Sequence, residues 1–285
     1  MQAPERGAVE RTDMAWDYTL GVIGAGNMGA ALVRGLVRAG VLPCDRIAVC
    51  DVEAAKVQAL VGELGVQTGP GNGAVAQQSE YVVLALKPWM IAPVLREIDP
   101  VLTREQVVIS FAAGISLTQI AQTLTPGRAG LVRIMPNTPA LVGEGMFAIA
   151  AQDVPQPKLD RLTALFAALG RVVSIDESLM NAVTGLSGSG PGFVFVTIEA
   201  LADGGVAAGL PRAIALELAA QTVLGAAKMV LESGQHPGAL KDMVATPGGT
   251  TIAGLTVLEE SGFRSALINA VRAAAKRAQE LCEGK

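Results

Sequence analysis

The six residues Gly24-Ala25-Gly26-Asn27-Met28-Gly29 space three glycines as phosphate chemistry requires. Gly24 permits a tight turn, Gly26 lets backbone approach a pyrophosphate, and Gly29 allows a helix to pack close against a strand. The amides of that helix's first turn, including those of Asn27 and Met28, then point at the phosphates. Three glycines alone are weak evidence. Here they follow an apolar run (Tyr18 to Ile23), open a helical pattern, and are followed by an acid, Asp51, at the end of the next strand. In that position an acid accepts hydrogen bonds from the adenosine ribose hydroxyls. A carboxylate there can equally cap the helix that begins near Glu53.

Four further segments carry candidate chemistry. Lys87-Pro88 ends a strand, where ligands of open α/β sheets bind; it can flank a cofactor or be a solvated lysine beside a loop proline. Ser110-Phe111-Ala112-Ala113-Gly114 ends the next strand, with residues small enough for backbone to approach a nicotinamide ring or to start a packed helix. In Met135-Pro136-Asn137-Thr138-Pro139, two prolines fix a loop whose Asn137 can bind ligand or neighbouring backbone. The stretch Gly185 to Gly192 mixes glycines and serines ahead of a long helix, which suits an anion or an interdomain joint. A fifth segment is the most distinctive. Ala245-Thr246-Pro247-Gly248-Gly249-Thr250-Thr251 sets two glycines and three hydroxyls before another helix, a nest of donors suited to a carboxylate.

The sole histidine, His236, precedes Pro237 and reads as a loop residue, and neither a Ser/His/Asp set nor a metal cluster can be assembled. Alcohol oxidation calls for a general base. A protonated C=N accepts hydride without one. Carboxylate-binding loops without a base therefore point to reduction of an imine that bears a carboxylate. Lys228 on a long helix is the one lysine that could serve a 3-hydroxyacid dehydrogenase, although a lysine on a helix surface accounts for it as well. A non-catalytic nicotinamide-nucleotide sensor would need only the first glycine motif.

These segments must be held by a particular set of elements. Strands are expected at 18–23, 46–50, 81–86, 106–110, 131–135 and 146–150, with helices between most of them, which indicates a doubly wound parallel sheet of Rossmann type. Beyond Asp176 nearly everything reads as helix. The expected organisation is a leader without order (1–17), an α/β Rossmann domain (18–176) that binds NAD(P), and an all-helical domain (177–285) for substrate binding and dimerisation. The 211–232 helix is apolar on almost every face and must be covered all round, which points to an intertwined dimer.

Bulk composition agrees with that organisation. The chain has 285 residues, enough for two domains, with 51% apolar and only 17% charged residues. The charged share is below the roughly 25% usual in soluble domains, so another chain is expected to cover part of the surface. A net charge of -4 without basic clusters argues against nucleic acid. The greasiest stretch is interrupted by Arg212, Glu217 and Lys228, so no membrane span is expected. Three cysteines without a C-x-x-C spacing suit a reducing cytoplasm. The first 16 residues lack the apolar centre of a signal peptide, and Met14 is a candidate natural start.

From about Thr19 to Leu281 the chain resembles the pyrroline-5-carboxylate reductase family. The similarity lies in Thr246-Pro-Gly-Gly-Thr-Thr251-Ile-Ala-Gly-Leu, Leu258-Glu259, Thr184 to Pro191, Ala202-Asp-Gly-Gly205 and Gly262-Phe-Arg-Ser265. Asn72, Lys87-Pro88 and Asn137-Thr138-Pro139 are typical as well. The resemblance implies reduction of L-1-pyrroline-5-carboxylate to L-proline, the last step of proline synthesis, with NADPH or NADH and no metal. It implies that Gly248, Gly249 and Thr250 hold the substrate carboxylate with Thr246 beside them. Thr251 would be the catalytic group, its hydroxyl directed at the ring nitrogen. Asn72 would contact the adenosine ribose, with Lys87, Pro88, Ala112, Ala113, Gly114 and Asn137 lining the cofactor. A homodimer through the C-terminal helices, often built into a decamer, is implied too. Asp51 departs from the pattern, since many members carry a small polar or basic residue suited to the 2′-phosphate of NADPH. Both dinucleotides therefore remain open.

Overall fold

A computed structural model describes residues 16–283; the expected leader and Met14 lie outside them, apart from Trp16 and Asp17. Strands β1 (Tyr18–Ile23), β2 (Ile47–Cys50), β3 (Gln67–Thr68), β4 (Ser79–Leu84), β5 (Val107–Ser110), β6 (Gly130–Met135), β7 (Gly145–Gln152) and β8 (Gly170–Ser174) form one sheet, in the order β3-β2-β1-β4-β5-β6-β7-β8. Every pairing is parallel except β6 with β7. The sheet is thus parallel-dominated rather than wholly parallel. The short link from β6 to β7 cannot make a parallel crossover, so the chain turns back there. β8, which the sequence reading did not mark as a strand, extends the sheet beyond it.

The central strands β2 and β4 are buried along their whole length, as sheets covered on both faces require. Alternate residues feed two cores. Tyr81 and Val83 join Leu20, Val22, Ile47 and Val49 on one face. That face is covered by α1 (Asn27–Arg38), α2 (Ala54–Leu64) and α6 (Gln156–Ala167), whose Val33, Leu36, Leu60, Leu162 and Phe166 belong to the same core. Val82 and Leu84 face the other way, with Val75, Ile91, Leu95 and Ile120 of α3 (Asn72–Gln77), α4 (Pro88–Ile98) and α5 (Leu117–Thr123). The Ser116 hydroxyl and the Gln119 side chain close a reciprocal cap at the start of α5.

The chain separates into two compact units, one running to Gly188 and including the residues from Ala274 on, the other Ser189–Ala273. In the first, α7 (Met180–Val183) runs into a π-helical turn, Thr184–Gly188. The first part of the glycine–serine stretch is thus wound, and α8 (Gly190–Ala207) begins two residues after Gly188. Of the 185–192 stretch only Ser189 stands outside a helix.

The second unit is helical, with α8, α9 (Arg212–Ser233), α10 (Pro237–Val244), α11 (Thr250–Glu260) and most of α12 (Phe263–Cys282). Its buried core holds only Ala202, Ala215 and Ala219. Phe195, Leu216, Leu218, Leu224, Leu231 and Val257 are all exposed in the single chain. Contiguous apolar surface on this scale marks an interaction face. Among the described residues, α9 is the one helix long and apolar enough to cross a membrane by length and composition, yet little of it is buried within this chain.

Candidate functional site

The glycine motif forms the turn between β1 and α1. Gly24 has φ +109, a region that costs other residues strain, and a Cβ there would lie 2.5 Å from the Ala85 carbonyl oxygen. A Cβ on Gly29 would run into the Gly24 carbonyl. Gly26 is different: a Cβ built on it meets nothing within 4 Å. Its space is open toward solvent at the start of a 12-residue helix that has neither a side-chain cap nor an acid in its first turn. Unclaimed first-turn amides beneath an open approach are what a pyrophosphate needs, so the residues present fit a dinucleotide.

Asp51 closes β2 beside this turn. Its Oδ2 accepts from the Ala25 amide at 2.7 Å and its Oδ1 from the Glu53 amide at 2.9 Å. The carboxylate therefore caps the approach to α2 and also ties the glycine turn to β2. Next to it the buried Cys50 donates to Asn72 Oδ1 at 3.3 Å, while Asn72 Nδ2 donates to Glu97 Oε2 at 2.8 Å. Burial, reinforced by the Asp51 and Glu97 carboxylates, pushes the Cys50 thiol up to about 12. The Asp51 and Glu97 carboxylates both stand near Cys50 at the carboxyl end of β2. Lys56, the nearest lysine in sequence, is paired with Glu53.

The turn from β4 to α4 packs directly on the glycine motif, with the Ala85 amide donating to the Ile23 carbonyl at 2.9 Å. Lys87 stands exposed at the N-cap of α4, and Pro88 occupies its first turn. Farther along the sheet, the Ala112 amide donates to Ser110 Oγ at 3.2 Å. Gly114 lies against the end of α12; a Cβ there would sit 3.2–3.3 Å from Leu281 and Cys282 atoms. That backing of the 112–114 turn by the chain's last helix joins residues far apart in sequence and left no local signal. Asn137 is committed to the protein, its Oδ1 accepting from the Met146 amide at 2.8 Å and its Nδ2 donating to Ser187 Oγ at 3.3 Å.

One ion pair in this unit had no sequence signal. Arg133 is buried in β6 and donates from Nη1 to Glu177 Oε1 at 3.2 Å, the same oxygen that accepts from the Leu117 amide at 2.7 Å. It fastens the residue that begins the helical region to the sheet.

The second unit carries the other motif. Gly248 has φ +69, the Gly249 amide donates to the Thr246 carbonyl at 3.0 Å, and a Cβ on Gly249 would collide with the Thr246 hydroxyl. α11 begins at Thr250, with Gly249 at its N-cap and no side-chain cap. Thr246 and Thr250 are exposed and Thr251 is half-buried. The turn therefore presents free first-turn amides flanked by hydroxyls, an arrangement that binds a carboxylate. Lys228, the alternative acid/base, is an exposed residue of α9 that pairs with Glu232 at 3.6 Å. His236 caps α10, its Nδ1 accepting from the Gly238 amide at 3.0 Å.

Comparison with known proteins agrees with this arrangement. Residues 177–281 match the family described as pyrroline-5-carboxylate reductase dimerisation, and residues 19–114 match that described as NADP oxidoreductase, coenzyme F420-dependent. The chain is 46% identical to the pyrroline-5-carboxylate reductase of Glycine max, over 94% of this chain and 97% of that protein. To the enzyme of Escherichia coli (strain K12) it is 44% identical, over 92% and 97%. Among solved structures, the pyrroline-5-carboxylate reductase of Coxiella burnetii superposes with a TM-score of 0.86 at 36% identity, covering 93% of this chain and 98% of that one. The Plasmodium falciparum pyrroline carboxylate reductase with NADP bound gives 0.83 at 30% identity, over 94% and 100%. With this identity running through both units, the chain belongs to the pyrroline-5-carboxylate reductase family.

Proposed function

We propose that this protein reduces L-1-pyrroline-5-carboxylate to L-proline with a nicotinamide dinucleotide, and that it does so in the cytoplasm as a homodimer, assembled in some states into a decamer. The observation that carries the reading is the pairing, in one family chain, of an open phosphate turn at Gly26 with an uncapped Gly-Gly-Thr-Thr turn at the start of α11. The bound dinucleotide supplies the hydride. The chain's own residues bind and orient. First-turn amides of α1 hold phosphate oxygens, and Gly248, Gly249 and Thr250 hold the substrate carboxylate, with Thr246 fixing the turn. Thr251 places its hydroxyl at the ring nitrogen, where it steadies the proton of the iminium and then of the amine. Purified protein given NADH or NADPH should oxidise it only when pyrroline-5-carboxylate is present, followed by the nicotinamide absorbance. No substrate-dependent oxidation with either dinucleotide would reject the assignment.

On the choice of dinucleotide, the acidic end of β2 favours NADH. Asp51 is pinned by two backbone amides and cannot swing aside freely, and Glu97 lies close by. A 2′-phosphate there meets like charge. At about 4 Å and an effective dielectric near 20, each pair costs about 4 kcal/mol before solvent and the two amides reduce it. NADH is therefore expected to be used at least as well as NADPH, as parallel kcat/KM measurements would establish.

A further inference from the structure

We infer that Trp89 is the stacking platform for the adenine ring of the dinucleotide, an assignment that rests on the function proposed above. Trp89 is 74% exposed, an unusual state for an indole on the first turn of a well-packed helix. Its backbone is held firmly, because Pro88 precedes it at the start of α4 and Ile91, Val94, Leu95 and Ile98 anchor that helix in the core. A rigid, solvent-facing aromatic loses little freedom when a flat ring settles on it.

Its place in the fold selects the ligand. Trp89 follows the β4–α4 turn that lies on the glycine motif through the Ala85 to Ile23 hydrogen bond. Along α4, Trp89, Pro93 and Glu97 recur at helical spacing on one exposed edge. Glu97 on that edge accepts from Asn72, and Asn72 accepts from Cys50 at the end of β2. The edge bearing Trp89 is thereby turned toward the carboxyl end of β2, the half of the crevice where adenosine lies when pyrophosphate sits on the glycine turn. Val52, 84% exposed just beyond β2, supplies a second apolar group on the far side of β1. β2 and β4 are two strand spacings apart, about 10 Å, a gap of the right order for a flat base between side chains. Adenine has apolar faces and no charge, which matches this pair of uncharged groups above an otherwise acidic rim.

The test uses a Trp16→Phe protein, in which Trp89 is the only tryptophan of the two in the chain. ADP-ribose carries the adenine but no nicotinamide, so quenching by it reports contact with the base. Its addition should quench the Trp89 emission saturably, with the Kd found by calorimetry. In the otherwise native chain, Trp89→Ala should weaken ADP-ribose binding by about 5- to 150-fold, and Trp89→Phe should keep most of the affinity. If the parent binds dinucleotide and Trp89→Ala matches it within twofold, the assignment of Trp89 fails while the reductase reading stands; a change of assembly size in that variant without a change in Kd leads to the same rejection. A parent that binds none of ADP-ribose, NADH or NADPH overturns both.

Discussion

Replacing Gly26 by alanine separates cofactor binding from folding. Gly26 sits at φ −68 and ψ −175, a region open to alanine, and the added methyl meets nothing within 4 Å. Alanine is the poorer N-cap by about 0.5–1.5 kcal/mol, and the loss of unfolded-state freedom returns about 0.4–1. The net change is at most about 1 kcal/mol, or a fall in Tm of no more than about 4 °C. Binding is a different matter, because the methyl fills the open approach to the first-turn amides. Losing even one charge-assisted hydrogen bond there costs about 1.5–3 kcal/mol, so Kd for NADH and NADPH should rise about 10- to 150-fold. Gly29→Ala makes the contrast, since its methyl would strike the Gly24 carbonyl and should lower stability as well as binding. Calorimetric Kd and thermal melts on the two variants give the answer. A folded Gly26→Ala protein that binds both dinucleotides within twofold of the parent would refute the phosphate role of this turn.

Asp51→Ser should raise kcat/KM for NADPH selectively, by about 5- to 150-fold, when both dinucleotides are compared on parent and variant. Because the Asp51 carboxylate also holds the Ala25 and Glu53 amides, the same variant should lose about 1–3 kcal/mol of stability in a denaturant melt; a parent that strongly prefers NADPH would reduce Asp51 to that tethering role. Thr251→Ala should lower kcat/KM by one to two decades, about 1.4–2.7 kcal/mol, and Thr251→Ser much less; alanine activity within twofold of the parent would remove Thr251 from the chemistry. Leu224→Asp places a charge on the apolar face of α9 and should dissociate or unfold the protein, since a charge buried in a subunit interface without a partner is very costly; a folded, active monomer in light scattering would contradict the interleaved dimer.

What could be read from the sequence followed from how local each constraint is. The glycine motif was legible because strand, turn and helix are continuous in the chain and each glycine answers to its immediate neighbours. Helix α9 was legible as a helix too apolar to stand alone, since its pattern lacks a polar face. The exposed leucines of the single chain and the family dimerisation region across 177–281 agree with that reading. Asp51 was placed correctly at a strand end, but which donors it meets depends on Ala25, 26 residues away. The 184–188 stretch was open between an anion site and an interdomain joint; the chain winds it into a π-helical turn, and the boundary between the two units falls after Gly188. β8 and the reversal between β6 and β7 were missed for a related reason: pairing direction is decided by link length and by partners elsewhere in the sheet. The Arg133–Glu177 pair and the support of Gly114 by α12 are wholly non-local contacts.

The reaction proposed for this protein turns on hydride delivery to the imine carbon of pyrroline-5-carboxylate. The direct measurement supplies the protein with dinucleotide deuterated at the transferable position of the nicotinamide ring, and analyses the product by mass spectrometry and NMR. One proline should form per dinucleotide oxidised, with the deuterium on the ring carbon that was doubly bonded to nitrogen. Dinucleotide consumed without labelled proline, or label found at any other carbon, would contradict it.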